Sequence, residues 1–332
     1  MDPITHIASG ALAGRLLHSR FGTRLAYALC ILAAWLPDID NFVGLSPEDY
    51  LLHHRGITHS LVGISAQALI LTALFWLLHK AFKPMKTFIV SLSLLALHLW
   101  LDVVTTYGTQ LMAPFSKVRY DWGAVFIIDP FLTLTALGLF VWSLRSREHG
   151  RRIATLGLAF MLLYPVATHS VRGLVEDSMP QVLAENGIQA ESITVSTDLL
   201  SPIFWKIIVE DGDRLRIGSV SAIPALHSSI EFAEFTKADP TLLSRLGQEA
   251  SFFATWDWFA KWPTMKITLR PDGGRDVEFL DARFYSHGPI ARRYMDISQV
   301  PFTLTAVLGT DETLTRFRYN HHGQVIAYAV TN

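Results

Sequence analysis

Long apolar runs fill the first half of the chain and are missing from the second. Residues 57–79, 86–105 and 125–144 each approach the ~20 residues that a helix needs to cross the hydrocarbon layer of a bilayer. Residues 153–169 form a slightly shorter run. Ahead of Asp38, residues 3–18 and 25–36 are apolar with helical spacing, and the break at Ser19-Arg20-Phe21-Gly22-Thr23-Arg24 predicts a tight helical hairpin. Gly10 and Gly14 in its first arm form a GxxxG pair, which lets helices approach closely in lipid. The pattern predicts an α-helical polytopic membrane bundle of about six helices over residues 1–175, whether or not the first hairpin fully spans.

Beyond a break expected at Glu176-Asp177-Ser178-Met179-Pro180, residues 180–332 carry strand-like patterns instead. Residues 204–209 and 215–220 flank the turn Glu210-Asp211-Gly212-Asp213, and 265–269 and 276–280 flank Pro271-Asp272-Gly273-Gly274. Residues 302–308 and 324–330 are further strand candidates. Residues 240–260 read as helical and end in Trp256, Trp258, Phe259 and Trp262, aromatics expected in a core. A small β-rich soluble domain follows, with His321 and His322 expected in a surface turn.

Composition sharpens this division. Only 17 % of the 332 residues are charged, against about 25 % in ordinary soluble domains. The net charge of −1 and the absence of a basic patch argue against a nucleic-acid partner. The single cysteine, Cys30, lies in an apolar run and excludes a disulfide framework or a cysteine zinc site. Asp2 stands where a signal peptide would be basic, so no cleaved leader is expected. Lysine and arginine concentrate at Arg20 and Arg24, at Lys80, Lys83 and Lys86, and at Arg145, Arg147, Arg151 and Arg152. With six helices these loops share one side, which by the positive-inside rule is cytoplasmic. The other ends and the C-terminal domain are then expected on the periplasmic side of a bacterial inner membrane.

At that same end the topology gathers residues that can carry chemistry. They are His6 in Asp2-Pro3-Ile4-Thr5-His6, Asp38 and Asp40 in Leu36-Pro37-Asp38-Ile39-Asp40, His54 and His59 in His54-Arg55-Gly56-Ile57-Thr58-His59-Ser60, His98 and Asp102, and Asp129 before Pro130. His98 and Asp102, four apart, project from one helix face. Asp38 and Asp40 bracket a turn after Pro37, and Thr58 is placed to cap the third helix. Imidazoles with carboxylates and no thiolate suit Zn²⁺, with Mn²⁺ or Fe²⁺ as other candidates. Eight candidates exceed the ligands of one tetrahedral ion, so either two ions bind or some residues orient the ligands. Taken singly, each has an ordinary alternative. A membrane His or Asp can bond helix to helix, Asp38 can cap a turn, Arg55 can pair with an Asp or bind an anion, and Tyr107 can anchor at the interface. His18, His53 and His79 fit no spacing, and His169 stands on the site side as ligand or bystander.

The segments DPITHIASG, LPDID, HRGITHS and HLWLDVVTTYG resemble the YdjM family of bacterial membrane-bound metal-dependent hydrolases, over about residues 1–145. The family also carries a LexA-binding inner-membrane description, which is read as regulation in one member and is not carried over. The resemblance implies a metal-dependent hydrolase site at His6, Asp38, Asp40, His54, His59, His98 and Asp102, and supplies no substrate. The His-xxx-Asp arm is also similar to one in zinc-dependent phospholipase C enzymes, an analogy only.

The leading expectation is a metal-activated water attacking a lipid or lipid-linked, phosphoester-type substrate at the membrane interface, with Asp38, Asp40 or Asp102 as general base. The alternative is a non-catalytic metal-binding scaffold or a metal transporter. Transport needs polar groups deep in the bundle, where few stand, with Gln67, Thr72, Ser91 and Ser93 as weak candidates and no charge at mid-span.

Overall fold

The computed structural model describes residues 1–223, 230–294, 300–321 and 323–329. His322 and Val330 lie outside the described residues. Two compact units emerge: residues 1–45, 53–171 and 200–202 form a helical unit, and residues 46–52, 172–199 and 203–332 form a sheet unit.

The helical unit begins with the hairpin of α1 (Pro3–Phe21) and α2 (Leu25–Trp35). Asp2 caps α1 by accepting from the Thr5 N–H, Pro3 takes the first turn, and Gly22 ends the helix in the left-handed region at φ 64°. A 3₁₀ segment, Leu36–Phe42, continues from α2. After α3 (Pro47–His53), whose residues 47–52 belong to the sheet unit, and a second 3₁₀ turn, Ile57–His59, come α4 (Leu61–Leu78), α5 (Pro84–Val103), α6 (Pro130–Arg145) and α7 (Gly150–Glu185), whose residues from 172 on belong to the sheet unit. Among the described residues, four stretches are long and apolar enough to cross a membrane: Leu25–Phe42, Leu61–Leu78, Pro84–Val103 and Gly150–Glu185. The apolar α6 is shorter, at 16 residues. Its start differs from the run expected at 125, because Pro130 takes its first turn and Asp129 caps it. The helix α7 runs through the expected break at 176–180, with Pro180 inside it.

The two glycines of α1 set its distance from α2. Gly10 packs directly on the Cys30 carbonyl and the Ile31 backbone, and Gly14 on Tyr27. That approach lets Ala13, Leu29, Cys30 and Ala33 join Ile64, Ala68, Phe75 and Leu95 in one core between α1, α2, α4 and α5. A second core joins Ala8 and Leu12 of α1 to Leu101, Ala136 and Met161. Outward faces remain apolar, as at Leu69, Ile70, Leu77, Leu134 and Leu163, which suits lipid rather than water as the surrounding solvent.

Among the described residues the sheet unit is a nine-stranded antiparallel meander in which each strand pairs with its sequence neighbour. The two expected hairpins form β2 (Phe204–Asp211) with β3 (Arg214–Ser221) and β5 (Pro263–Leu269) with β6 (Arg275–Asp281). β7 (Leu304–Leu308) and β9 (Gln324–Ala329) fall within the other expected strands. β1 (Ser192–Thr197), β4 (Ala233–Lys237) and β8 (Leu314–His321) complete the sheet. His321 therefore ends a strand and meets Tyr50 edge-on rather than standing in a turn. Two helices, α8 (Pro240–Glu249) and α9 (Ser251–Phe259), bring Trp256 and Phe259 into the core, where the Trp256 indole N–H donates to the Phe302 carbonyl at 2.7 Å.

From Trp205 to Val209 every residue of β2 is buried, so Lys206 has no route to solvent. Its Nζ donates to the Ala282 and Arg283 carbonyls at 3.1 and 2.7 Å. Burial pushes this ammonium down to about 8 from its ordinary 10.5.

Two predictions follow from this packing. A Gly10→Leu chain should lose about 1–3 kcal/mol through overpacking of α1 on α2, read as a lowered unfolding midpoint in detergent. Between pH 8 and 10.5 an unfolded Lys206 holds a proton that the folded one has released, so the sheet unit should gain stability as pH rises through that window. The gain should be roughly 1–3 kcal/mol and absent from Lys206→Met, measured as the sheet unit's thermal transition in the full chain.

Candidate metal centre

The helix α5 supplies the rigid part of the site. His98 and Asp102 stand one turn apart on its buried face, with His98 Nε2 3.3 Å from Asp102 Oδ2. The last turn of α2 leaves carbonyls without intrahelical partners, and that of Ala34 accepts from His98 Nδ1 at 2.7 Å. With Nδ1–H committed there, His98 Nε2 carries a lone pair into the site.

The two 3₁₀ segments supply the rest. Asp38 and Asp40 lie two residues apart on the first, and at about 120° per residue they face different ways. Asp38 turns to the α5 pair. Asp40 turns to the segment 54–59, where its Oδ1 accepts from His54 Nδ1 at 3.0 Å and its Oδ2 from the Arg55 N–H and the Thr58 hydroxyl, each at 3.0 Å. His59 Nδ1 lies 3.3 Å from Asp40 Oδ2 and 2.9 Å from Thr58 Oγ1, so its proton is held on that side. Its Nε2 lone pair then points inward, in the carboxylate–histidine arrangement that orients metal ligands. Burial pushes His54 down to about 4, which keeps it neutral and a donor to Asp40. Thr58 does not cap α4 as expected. Ser60 does so, accepting from the Gly63 N–H, and Thr58 is drawn instead to the buried Asp40 carboxylate.

Four buried donors therefore converge: Asp38, His59, His98 and Asp102, with ligand atoms all within 4.8 Å of one another. His59 Nε2 is 3.2 Å from His98 Nε2, 3.2 Å from Asp102 Oδ2 and 3.5 Å from Asp38 Oδ1, and His98 Nε2 is 3.9 Å from Asp38 Oδ1. Two imidazoles and two carboxylates at such distances need a metal cation or ring protons between them. Ligands at 2.0–2.1 Å from a tetrahedral ion stand about 3.3–3.4 Å apart, so the residues fit one. Asp102 Oδ2 and Asp38 Oδ2 have no hydrogen-bond partner although buried. A buried cluster of two aspartates and two histidines is thus able to hold a metal ion, with its identity open among hard and borderline divalent cations.

The other candidates take different places. His6 is buried and stacks on His98, rings 3.7 Å apart at 19°, with Nε2 3.4 Å from Asp102 Oδ1 and no hydrogen bond to either ring nitrogen. Asp129 lies outside the four-donor cluster, capping α6 and accepting from the Tyr164 hydroxyl at 3.0 Å. His169 stacks on Trp122, rings 4.3 Å apart. Arg55, at φ 55°, bonds Asp102 through Nη2 at 2.9 Å and lies over the Tyr107 ring, whose other cationic neighbour is Arg119. Arg119 donates to the Gly108 and His54 carbonyls, and Thr105 accepts from Arg55 at 3.0 Å. Sequence reasoning singled out neither Arg119 nor Thr105, since Arg119 reads as a loop cation and Thr105 as the end of an apolar run.

Removing the oxygen that orients His59 should weaken metal binding without removing a ligand. Asp40→Asn should lower metal affinity 10–100-fold, as loss of such partners does elsewhere. Competition with a chelator, read by elemental analysis of the protein fraction, checks it.

Over residues 1–174 the chain matches the family described as YdjM inner membrane protein. The uncharacterized protein YfhP of Bacillus subtilis (strain 168) is 24% identical over 327 residues, 95% of this chain and 93% of that protein. No solved structure matches. The family match takes in the whole donor cluster and more than half of the chain, and the chain belongs to the YdjM inner membrane protein family.

Proposed function

We propose that this chain is a membrane-bound metal-dependent hydrolase that cleaves a lipid or lipid-linked phosphoester at the membrane surface. The observation that carries the reading is the convergence of Asp38, His59, His98 and Asp102 at one end of the helical unit. A divalent ion held by His59, His98 and Asp102 would keep a fourth position for water, whose pKa it would lower, and would polarise the scissile group, with Asp38 beside it.

The protein's own residues divide the remaining work. Asp40 fixes the tautomer of His59 through Nδ1, and the Ala34 carbonyl does the same for His98. Asp40 is filled by its donors, and Asp102 Oδ1 by Arg55. Of the three carboxylates expected to act as base, Asp38 and Asp102 each keep a buried Oδ2 without a hydrogen-bond partner; that of Asp102 faces the two imidazoles, which leaves Asp38 Oδ2 to take a proton from the attacking water.

Apolar side chains on the site's own segments support a lipid substrate. The 3₁₀ segment that carries both aspartates exposes Ile39, Phe42 and Val43, with Phe42 72 % exposed. The 109–118 segment, tied by Gln110 N–H to the Arg55 carbonyl, exposes Phe115 at 82 %. Such residues beside a polar centre suit the boundary where headgroup meets acyl chain. The basic loops at 20–24, 80–86 and 145–152 support a periplasmic location for the site in the inner membrane.

Detergent-purified protein should carry Zn, Mn or Fe, lost from folded His59→Ala, His98→Ala and Asp102→Ala chains. The wild type should hydrolyse at least one phospholipid or lipid-linked phosphoester in mixed micelles, and Asp38→Asn should slow it 10²–10⁴-fold while retaining metal. Bound metal with no hydrolysis across those substrates, together with metal uptake by sealed vesicles, would move the reading to transport. A chain that binds no metal after reconstitution would make the polar ring structural.

A further inference from the structure

Asp102 gives its two oxygens to different neighbours. Oδ2 faces the donor cluster, 3.2 Å from His59 Nε2 and 3.3 Å from His98 Nε2. Oδ1 faces Arg55 Nη2 at 2.9 Å, and the amino group of Met1 bonds to the same atom. In a two-ion hydrolytic centre a bridging carboxylate gives one oxygen to each ion. Here the second oxygen is already held by a fixed cation.

We propose that Arg55 is the site's built-in second cation: it stands where a second metal ion would bind Asp102 and limits the centre to one divalent ion. This rests on the reading of the cluster as a metal centre and goes beyond it by fixing the stoichiometry and the residue responsible.

Arg55 is anchored for that role. It is 3 % exposed, its Nη1 donates to the Asp102 carbonyl at 3.3 Å and to Thr105 Oγ1 at 3.0 Å, and the Tyr107 ring lies 4.9 Å from its guanidinium carbon. Its backbone N–H holds Asp40, so one residue braces both the ligand and the carboxylate that orients His59. A guanidinium keeps its charge at any pH the fold tolerates.

The charge balance points the same way. Asp38, Asp40 and Asp102 bring three buried negative charges. Arg55 and one divalent ion neutralise those three. A second ion leaves two uncompensated positive charges in a buried site. His6 marks where that ion would sit. Both its ring nitrogens are buried without hydrogen bonds, and Nε2 lies 3.4 Å from Asp102 Oδ1, on the Arg55 side of the carboxylate.

The test is the number of ions per chain. Detergent-purified full-length protein is equilibrated with Zn²⁺ or Co²⁺ up to millimolar concentration, desalted and measured by elemental analysis. The cobalt form is also followed by its visible absorption. Wild type should hold one equivalent, and Arg55→Lys, which keeps the charge, should also hold one. Arg55→Gln should take up a second equivalent at high metal, with a second cobalt absorption component, and His6→Ala in that background should return it to one. Two equivalents in the wild type or in Arg55→Lys overturn the proposal while leaving the metal-centre reading intact. A single equivalent in folded Arg55→Gln at every concentration overturns it too, because Arg55 then limits nothing. No metal in the wild type overturns both. If Arg55→Gln does not fold, the wild-type and Arg55→Lys stoichiometries still decide.

Discussion

A carboxylate can be buried only if its charge is answered, and the helical unit is organised around answering Asp40. His54, Arg55 and Thr58 each give it a hydrogen bond at 3.0 Å. Bonds to a charged acceptor are worth about 1.5–3 kcal/mol each, so together they tie the 36–42 segment to the 54–59 segment more firmly than apolar contact alone. That tie places Asp38 and His59 opposite the α5 pair. The positive φ of Arg55 belongs to the same constraint: a non-glycine residue in that region is strained by roughly 1 kcal/mol or more, and it persists because Asp40 holds the Arg55 N–H.

The centre therefore joins two kinds of support. His98 and Asp102 inherit their geometry from a helix whose neighbours are packed through Ala33, Ile64 and Leu95. Asp38 and His59 sit on short 3₁₀ pieces that hold shape through side-chain bonds to Asp40. Sites on rigid elements keep ligands in place without metal, while those on short segments rely on the shell behind them. The division explains why Asp40, which faces away from the cluster, matters as much to its shape as the residues that face in.

Much of this was legible in the sequence, unevenly. The four-residue spacing of His98 and Asp102 needs only helical geometry to be read. Collection of the motifs at one end follows from the alternation of apolar runs and basic loops. The division of labour between Asp38 and Asp40 was not legible, because two residues apart means the same side on a strand but faces about 120° apart on a 3₁₀ turn, and neither pattern is written in LPDID. The Ala34 carbonyl that orients His98 carries no sequence mark at all, since any residue supplies a carbonyl. Thr58 and Ser60 are both acceptable caps, and the choice between them was made by a carboxylate 18 positions away in the chain. In the second half, the hairpins with Gly-containing turns stood out. β8 did not, because Arg316 and Arg318 dilute its apolar character, although Phe317 and Tyr319 are buried. The continuation of α7 past Pro180 was hidden because an interior proline usually ends a helix, whereas here it removes a single backbone hydrogen bond from a long one.

The order of the nine strands has a bearing on biogenesis. Every pairing in the sheet, from β1 with β2 to β8 with β9, joins segments adjacent in the chain. The contacts are therefore of low sequence separation for an all-antiparallel sheet, and little loop-closure entropy stands before any one of them. Each new strand can dock on the last as it emerges during synthesis, so that besides the outer edge of β1 the newest strand's edge stands open. A sheet unit made after the apolar helices need not wait for the end of the chain to begin hiding its strand edges from unwanted pairing.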